Sequence, residues 1–179
     1  MSVISAIDVG SNAIRMAIAS VEENKTLQVL YCCREPIRLG QDVFATGMIS
    51  AETAQRSIRA FERFRSIIDQ HHVDRIRALG TSALRESRNR FEIIAEIAAA
   101  SGIEVTPIDS DEEARLISRA VESKLNLKNK NAILVDIGGG SAEVVILEDG
   151  QVSTTDSFSM GSVRLLLMFF YRMKGLYYF

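Results

Sequence analysis

The sequence predicts a mixed α/β layer structure assembled from two related halves. Three observations carry this reading. Two glycine-containing hairpins of the same pattern lie 128 residues apart. The first of them opens an order of three strands followed by alternating helices and strands, the order of a sheet with crossover helices. Short apolar, β-branched runs bounded by turn residues mark the strands, and apolar residues at helical spacing mark a helix.

In chain order, strands are expected near residues 3–9, 13–20 and 27–34, then a loop containing Gly40 and Gly47. A helix near 51–70 is marked by Ala54, Ile58, Phe61 and Ile68 at helical spacing. A strand near 74–80 follows, then a helix near 90–100 closed by Gly102, a strand near 103–108 and a helix near 112–125. The polar stretch Lys124 to Lys130 reads as a linker. Beyond it, strands near 131–137, 142–148 and 152–158 repeat the three-strand opening of the first half. The division expected is 1–125 for the first half, 126–165 for the start of the second, and an atypical apolar, aromatic tail at 166–179. Six of the twelve aromatic residues fall in the last eleven positions: Phe169, Phe170, Tyr171, Tyr177, Tyr178 and Phe179. The run Leu165 to Tyr171 is too short to span a membrane. It suits a helix packed on the sheet, an exposed patch that meets a partner, or a truncated or misread C-terminus.

The two hairpins read LVDIGGGSAEVVIL at 134–147 and AIDVGSNAIRMAIA at 6–19. Aligning Asp8 with Asp136 places Gly10 on Gly138, Ser11 on Gly139, Asn12 on Gly140 and Ala13 on Ser141 without a gap. A strand, not a helix, follows each turn, which excludes a P-loop or dinucleotide fingerprint. Small turn residues expose successive N–H groups to phosphate oxygens, and the preceding aspartate suits a divalent cation. Ordinary hairpin turns use the same residue types, and the matched pair argues against that plainer reading.

Three further segments carry candidate chemistry. In PIDSDEEARLISRAV, residues 107–121, Ser110 and Glu113 fit a capping box; the functional alternative makes Glu113 a base that takes a proton from water. In GTSALRES, residues 80–87, Thr81, Ser82 and Arg85 suit an oxyanion clamp, or simply a helix start. His71 and His72 have no partners in sequence for a triad or metal cluster and read as solvated. Cys32 and Cys33 have neither disulfide nor zinc spacing and read as packing residues.

Composition bounds the partners. With 179 residues, 47% hydrophobic, 25% charged and a net charge of −2, the chain has the composition of a globular protein of one or two domains. Interspersed charge implies no general affinity for nucleic acid. No membrane association is expected, and the N-terminus lacks a signal-like pattern, so a cytoplasmic location is expected.

Six segments, AIDVGSNAIRMAIA, IRLGQDVFATGMIS, RIRALGTSALRESRNR, GIEVTPIDSDEEARLI, LVDIGGGSAEVVIL and FSMGSVRL, occur in this order and spacing. Together they closely resemble the exopolyphosphatase and guanosine pentaphosphate phosphohydrolase family. The resemblance implies the actin-like, ribonuclease-H-like fold shared with sugar kinases and actin. It implies hydrolysis of the terminal phosphoanhydride of inorganic polyphosphate or pppGpp with Mg²⁺. By the family's motifs, Glu113 is the general base, and Asp136 and Glu143 are metal-associated carboxylates. Asp8 joins them as a third metal residue. Gly10, Ser11, Asn12 and Arg15 form the first phosphate loop, Gly138, Gly139, Gly140 and Ser141 the second, and Ser82 with Arg85 adds to the phosphate site. The mechanism implied is in-line attack by water without a covalent intermediate. The family's usual Ser-Gly before the acidic pair is replaced here by Ser110-Asp111. Its members continue well past FSMGSVRL, so the second half-domain is expected to be incomplete, with activity impaired and a possible homo-oligomer. An actin-like nucleotide-binding module and a non-catalytic remnant that acts by protein interaction are the alternatives.

Overall fold

The computed structural model describes residues 2–23 and 26–173. The chain divides into two compact units, Met1–Pro107 and Ile108–Phe179.

The first unit is a five-stranded sheet with helices. Strands β1 (Ser2–Val9), β2 (Ile14–Val21) and β3 (Leu27–Glu35) form an antiparallel meander, and β4 (Arg75–Gly80) and β5 (Val105–Pro107) add in parallel to give the order β3-β2-β1-β4-β5. Alternation decides which face is buried. Ser5, Ile7 and Val9 on β1, with Ile14, Met16 and Ile18 on β2, point into the core, while Ala6 and Arg15 face out. Helix α2 (Ala51–Gln70) covers that face with Phe61, Phe64 and Ile68, each at most 1% exposed. Full burial of an aromatic of this size stabilises the fold by about 1.5–3 kcal/mol. Ser50 caps α2 by accepting from the Thr53 N–H at 3.2 Å. Helix α4 (Arg90–Ser101) ends at Gly102, which at φ 65° takes the left-handed conformation and donates to Ala98 O. The short α3 (Ser82–Glu86) follows β4 directly.

Several expectations need correction. The segment expected as a loop around Gly40 contains helix α1 (Leu39–Thr46). Its N-cap, Arg38, sits at φ 65° and makes no side-chain cap, so no capping residue announces it. Cys32 is exposed, not packed, because β3 is an edge strand; Cys33 is half-buried against the core. Burial, with Glu35 adding, pushes the Cys33 thiol above its ordinary value. His72 is exposed, but His71 is half-buried and lies 5.6 Å from the Tyr31 ring.

The second unit holds α5 (Ser110–Glu122), an antiparallel sheet of β6 (Ala132–Ile137), β7 (Ala142–Glu148) and β8 (Gln151–Phe158), and α6 (Ser162–Met173). Its small core brings Ala114 of α5 against Val145 and Leu147 of β7. The expected boundary at residue 125 therefore differs from the division between the units at 107/108: α5 packs on β7 and β8. The opposite face of the sheet carries Ile133, Val135 and Ile137, which are 58–68% exposed. On α6, Leu166, Met168, Phe169, Phe170 and Met173 are also exposed. These residues form the exposed patch that was one of the readings of the tail. Tyr177, Tyr178 and Phe179 lie outside the described residues.

Candidate active site

In the first unit, the turn after β1 closes with the Gly10 N–H donating to Ala13 O at 3.1 Å. A Cβ on Gly10 would sit 3.0 Å from that same oxygen, so the turn needs a bare residue there. Ser11 and Ser82 are both 3% exposed, and their hydroxyls share a 2.8 Å hydrogen bond. The structure thus joins the first turn to the start of α3. That bond uses one of the two hydroxyl protons, and the turn's backbone amides are further donors. Asn12 is exposed. Asp8 and Arg15 are cross-strand partners, with Arg15 Nη1 3.3 Å from Asp8 Oδ2. The predicted metal carboxylate and phosphate arginine therefore neutralise one another at a half-exposed site, where such a pair contributes roughly 0–1 kcal/mol. Arg85 is half-buried in the last turn of α3.

In the second unit, the turn after β6 closes in the same way: the Gly138 N–H donates to Ser141 O at 2.9 Å. The aligned positions of the two hairpins thus make the same bond. Asp136 and Glu143 are cross-strand partners on β6 and β7. Asp136 is exposed, whereas Glu143 is 1% exposed and its Oε1 accepts a 3.1 Å hydrogen bond from the Ser157 hydroxyl. Among the described residues, no group of three or more His, Cys, Asp and Glu side chains could hold a metal ion. Two neighbouring carboxylates with phosphate and water as the other ligands are nonetheless an ordinary donor set for Mg²⁺, which keeps much of its hydration.

Glu113 lies in the first part of α5 and is half-buried. The expected capping box fails. The N-cap is Asp109, whose Oδ1 accepts from the Glu112 N–H at 2.8 Å, so Ser110 is the first helical residue. Glu112 occupies the capping-box position and forms a two-pronged pair with Arg115 at 2.6 and 2.7 Å. Glu113 is one residue beyond the position that a capping box uses.

Sequence reasoning quoted the segment that lies against the second turn but gave Gly161 and Arg164 no role. Gly161 sits so close to Gly139 and Gly140 that a Cβ on it would collide with their backbone. The Arg164 Nε–H donates to Gly140 O at 2.8 Å. The available signal was the sequence FSMGSVRL, whose glycine and arginine carried no assigned role.

The chain is 35% identical over 170 residues to exopolyphosphatase 2 of Mycobacterium tuberculosis, covering 90% of this chain and 53% of that protein. It is 31% identical over 166 residues to the guanosine-5'-triphosphate,3'-diphosphate pyrophosphatase of Photobacterium profundum, covering 93% of this chain and 33% of that protein. The crystal structure of an exopolyphosphatase from Cytophaga hutchinsonii superposes with a TM-score of 0.87 at 31% identity, covering 92% of this chain and 53% of that one. The chain thus spans about half the length, or less, of the relatives it matches. The fold is the actin-like ATPase fold, with a mixed sheet and flanking helices. The model of the Ppx/GppA phosphatase family matches residues 17–174, and the chain belongs to that family.

Proposed function

We propose that this chain carries the phosphate-binding turns and the water-activating carboxylate of a phosphohydrolase that releases the terminal phosphate of inorganic polyphosphate or of pppGpp. The observation that carries the proposal is the matched pair of turns. Each follows an aspartate by two residues, and each is closed by the same hydrogen bond, Gly10 to Ala13 and Gly138 to Ser141. The names of the exopolyphosphatase and pyrophosphatase relatives support the substrate class.

In the proposed reaction, the backbone amides of each turn, with Arg15 and Arg85 in the first unit, bind phosphate oxygens and stabilise charge on the transferring group. Glu113 orients the attacking water and accepts its proton. Asp136 and Glu143 are the residues of the second unit that would hold Mg²⁺, and Asp8 is the candidate metal carboxylate of the first unit. The ion, when bound, neutralises phosphate charge. The exposed apolar face of β6 and of α6 supports low activity for the chain by itself, because α5 covers the three-stranded sheet on one face only. A cytoplasmic setting and a homo-oligomer belong to the same proposal.

The test is equilibrium binding of tripolyphosphate in the presence of Mg²⁺ to wild type, Gly10→Val and Gly139→Val, with circular dichroism to establish folding. Loss of binding in folded variants is expected. Unchanged binding in either would remove that turn from the phosphate site.

A further inference from the structure

The helix that follows the third strand in each unit seals the carbonyl side of the glycine turn. In the second unit, Ser162 N and Oγ donate to Gly138 O at 3.0 and 3.2 Å, and Val163 N and Arg164 N donate to Gly139 O at 2.9 and 3.1 Å. Arg164 Nε donates to Gly140 O at 2.8 Å. All three glycine carbonyls thus point at the first turn of α6: those of Gly138 and Gly139 satisfy its orphan N–H groups, and that of Gly140 takes the Arg164 side chain. In the first unit, Gly40 N donates to Ser11 O at 2.7 Å and Arg38 N to Asn12 O at 3.0 Å, at the start of α1. Each helix brings a glycine to the contact. A Cβ on Gly40 would lie 3.1 Å from both Ser11 Cβ and Ser11 O, and one on Gly161 would strike the backbone of Gly139 and Gly140. Neither glycine has a positive φ, so each is required for room and not for conformation.

No cis peptide bond occurs among the described residues, and in a planar trans peptide the C=O and the following N–H point in opposite directions. With the carbonyls of residues 138–140 held toward α6, the N–H groups of Gly139, Gly140 and Ser141 point away from it. By the same argument the N–H groups of Asn12 and Ala13 point away from α1. We infer that Gly161 and Arg164 are positioning residues: they lock the second turn with its amides turned outward as a row of donors for an anionic phosphate oxygen, as Gly40 does for the first. This rests on the phosphate reading of the turns proposed above. The N-terminus of α6 is then no anion site itself, since the turn's carbonyls occupy its donors.

Amide hydrogen exchange and chemical-shift mapping on the whole chain, with sodium tripolyphosphate as the probe, test this. In the free wild type, Gly139, Gly140 and Ser141 should exchange faster than Ser162, Val163 and Arg164, and the former three should shift on titration. Arg164→Ala should weaken tripolyphosphate binding by about three- to tenfold, the effect of one lost hydrogen bond, at temperatures well below its melting point. Arg164→Lys, which keeps a donor, should recover part of the affinity. Slow exchange at residues 139–141 in the free wild type would overturn the positioning role by itself, whether or not any variant folds. An Arg164→Ala variant that loses stability but binds like wild type would also overturn it. The expected exchange pattern with no shift at 139–141 under saturating tripolyphosphate would overturn the phosphate reading of the turn, and the positioning role with it.

Discussion

Replacing Glu143 with glutamine separates a metal ligand from a structural carboxylate. The side chain is 1% exposed and accepts from the Ser157 hydroxyl at 3.1 Å. Glutamine keeps the volume and one oxygen for Ser157 while removing the charge. Mg²⁺ at ten times its dissociation constant stabilises a folded unit by RT ln 11, about 1.4 kcal/mol. For a unit of roughly 60–100 residues this raises the melting temperature by about 6–11 °C. Glu143→Gln should abolish most of that shift. Scanning calorimetry of both proteins across a Mg²⁺ titration reads it directly. A variant that keeps the wild-type Mg²⁺ shift would show that Glu143 does not hold the ion.

Asp109→Ala should destabilise the second unit by about 1 kcal/mol through loss of the α5 cap, measured by thermal unfolding. Burial alone would raise the Asp42 carboxyl, but hydrogen bonds from Ser50 and Thr53 and the charge of Arg56 hold it below the ordinary aspartate value. Its folded-state value is depressed, so its contribution is complete above the unfolded-state value and is lost as pH falls through the folded one. Acid titration of the first unit's stability should show a component below the ordinary aspartate range that vanishes in Asp42→Asn; an identical profile in the variant would remove Asp42 as its source. With Ile133, Val135 and Ile137 exposed on the second sheet, residues 131–158 should exchange faster than residues 3–20, and size-exclusion chromatography should show concentration-dependent association. A monodisperse monomer with equal protection of both segments would contradict this.

The sequence conveyed most of the strands because short β-branched runs end at turn residues, and it conveyed α2 and α4 because Phe61, Ile68 and the terminal Gly102 carry the usual helical signals. Helix α1 was illegible: Arg38 enters it at φ 65° without a side-chain cap, and glycines at 40 and 47 imitate a loop. The start of α5 was ambiguous because Asp109 and Ser110 are both good caps, and only the bond to Glu112 N decides between them. The exposure of Cys32 depends on β3 lying at the sheet edge, a consequence of strand order that a local pattern does not contain. The repeat of the two turns was visible as a constant offset. Their sealing by α1 and α6 was not, since it is made mainly to backbone carbonyls, which carry no residue signature.

Release of inorganic phosphate from the end of a polyphosphate chain, measured with Mg²⁺ for wild type and Glu113→Gln alongside tripolyphosphate binding, tests the phosphohydrolase assignment most directly. The account predicts slow Mg²⁺-dependent release of single terminal phosphates by wild type. In Glu113→Gln it predicts a loss of about two to four orders of magnitude, the range for general-base assistance, with binding and folding largely intact. No release above the uncatalysed rate by wild type, or a Glu113→Gln variant that turns over like wild type, would contradict it.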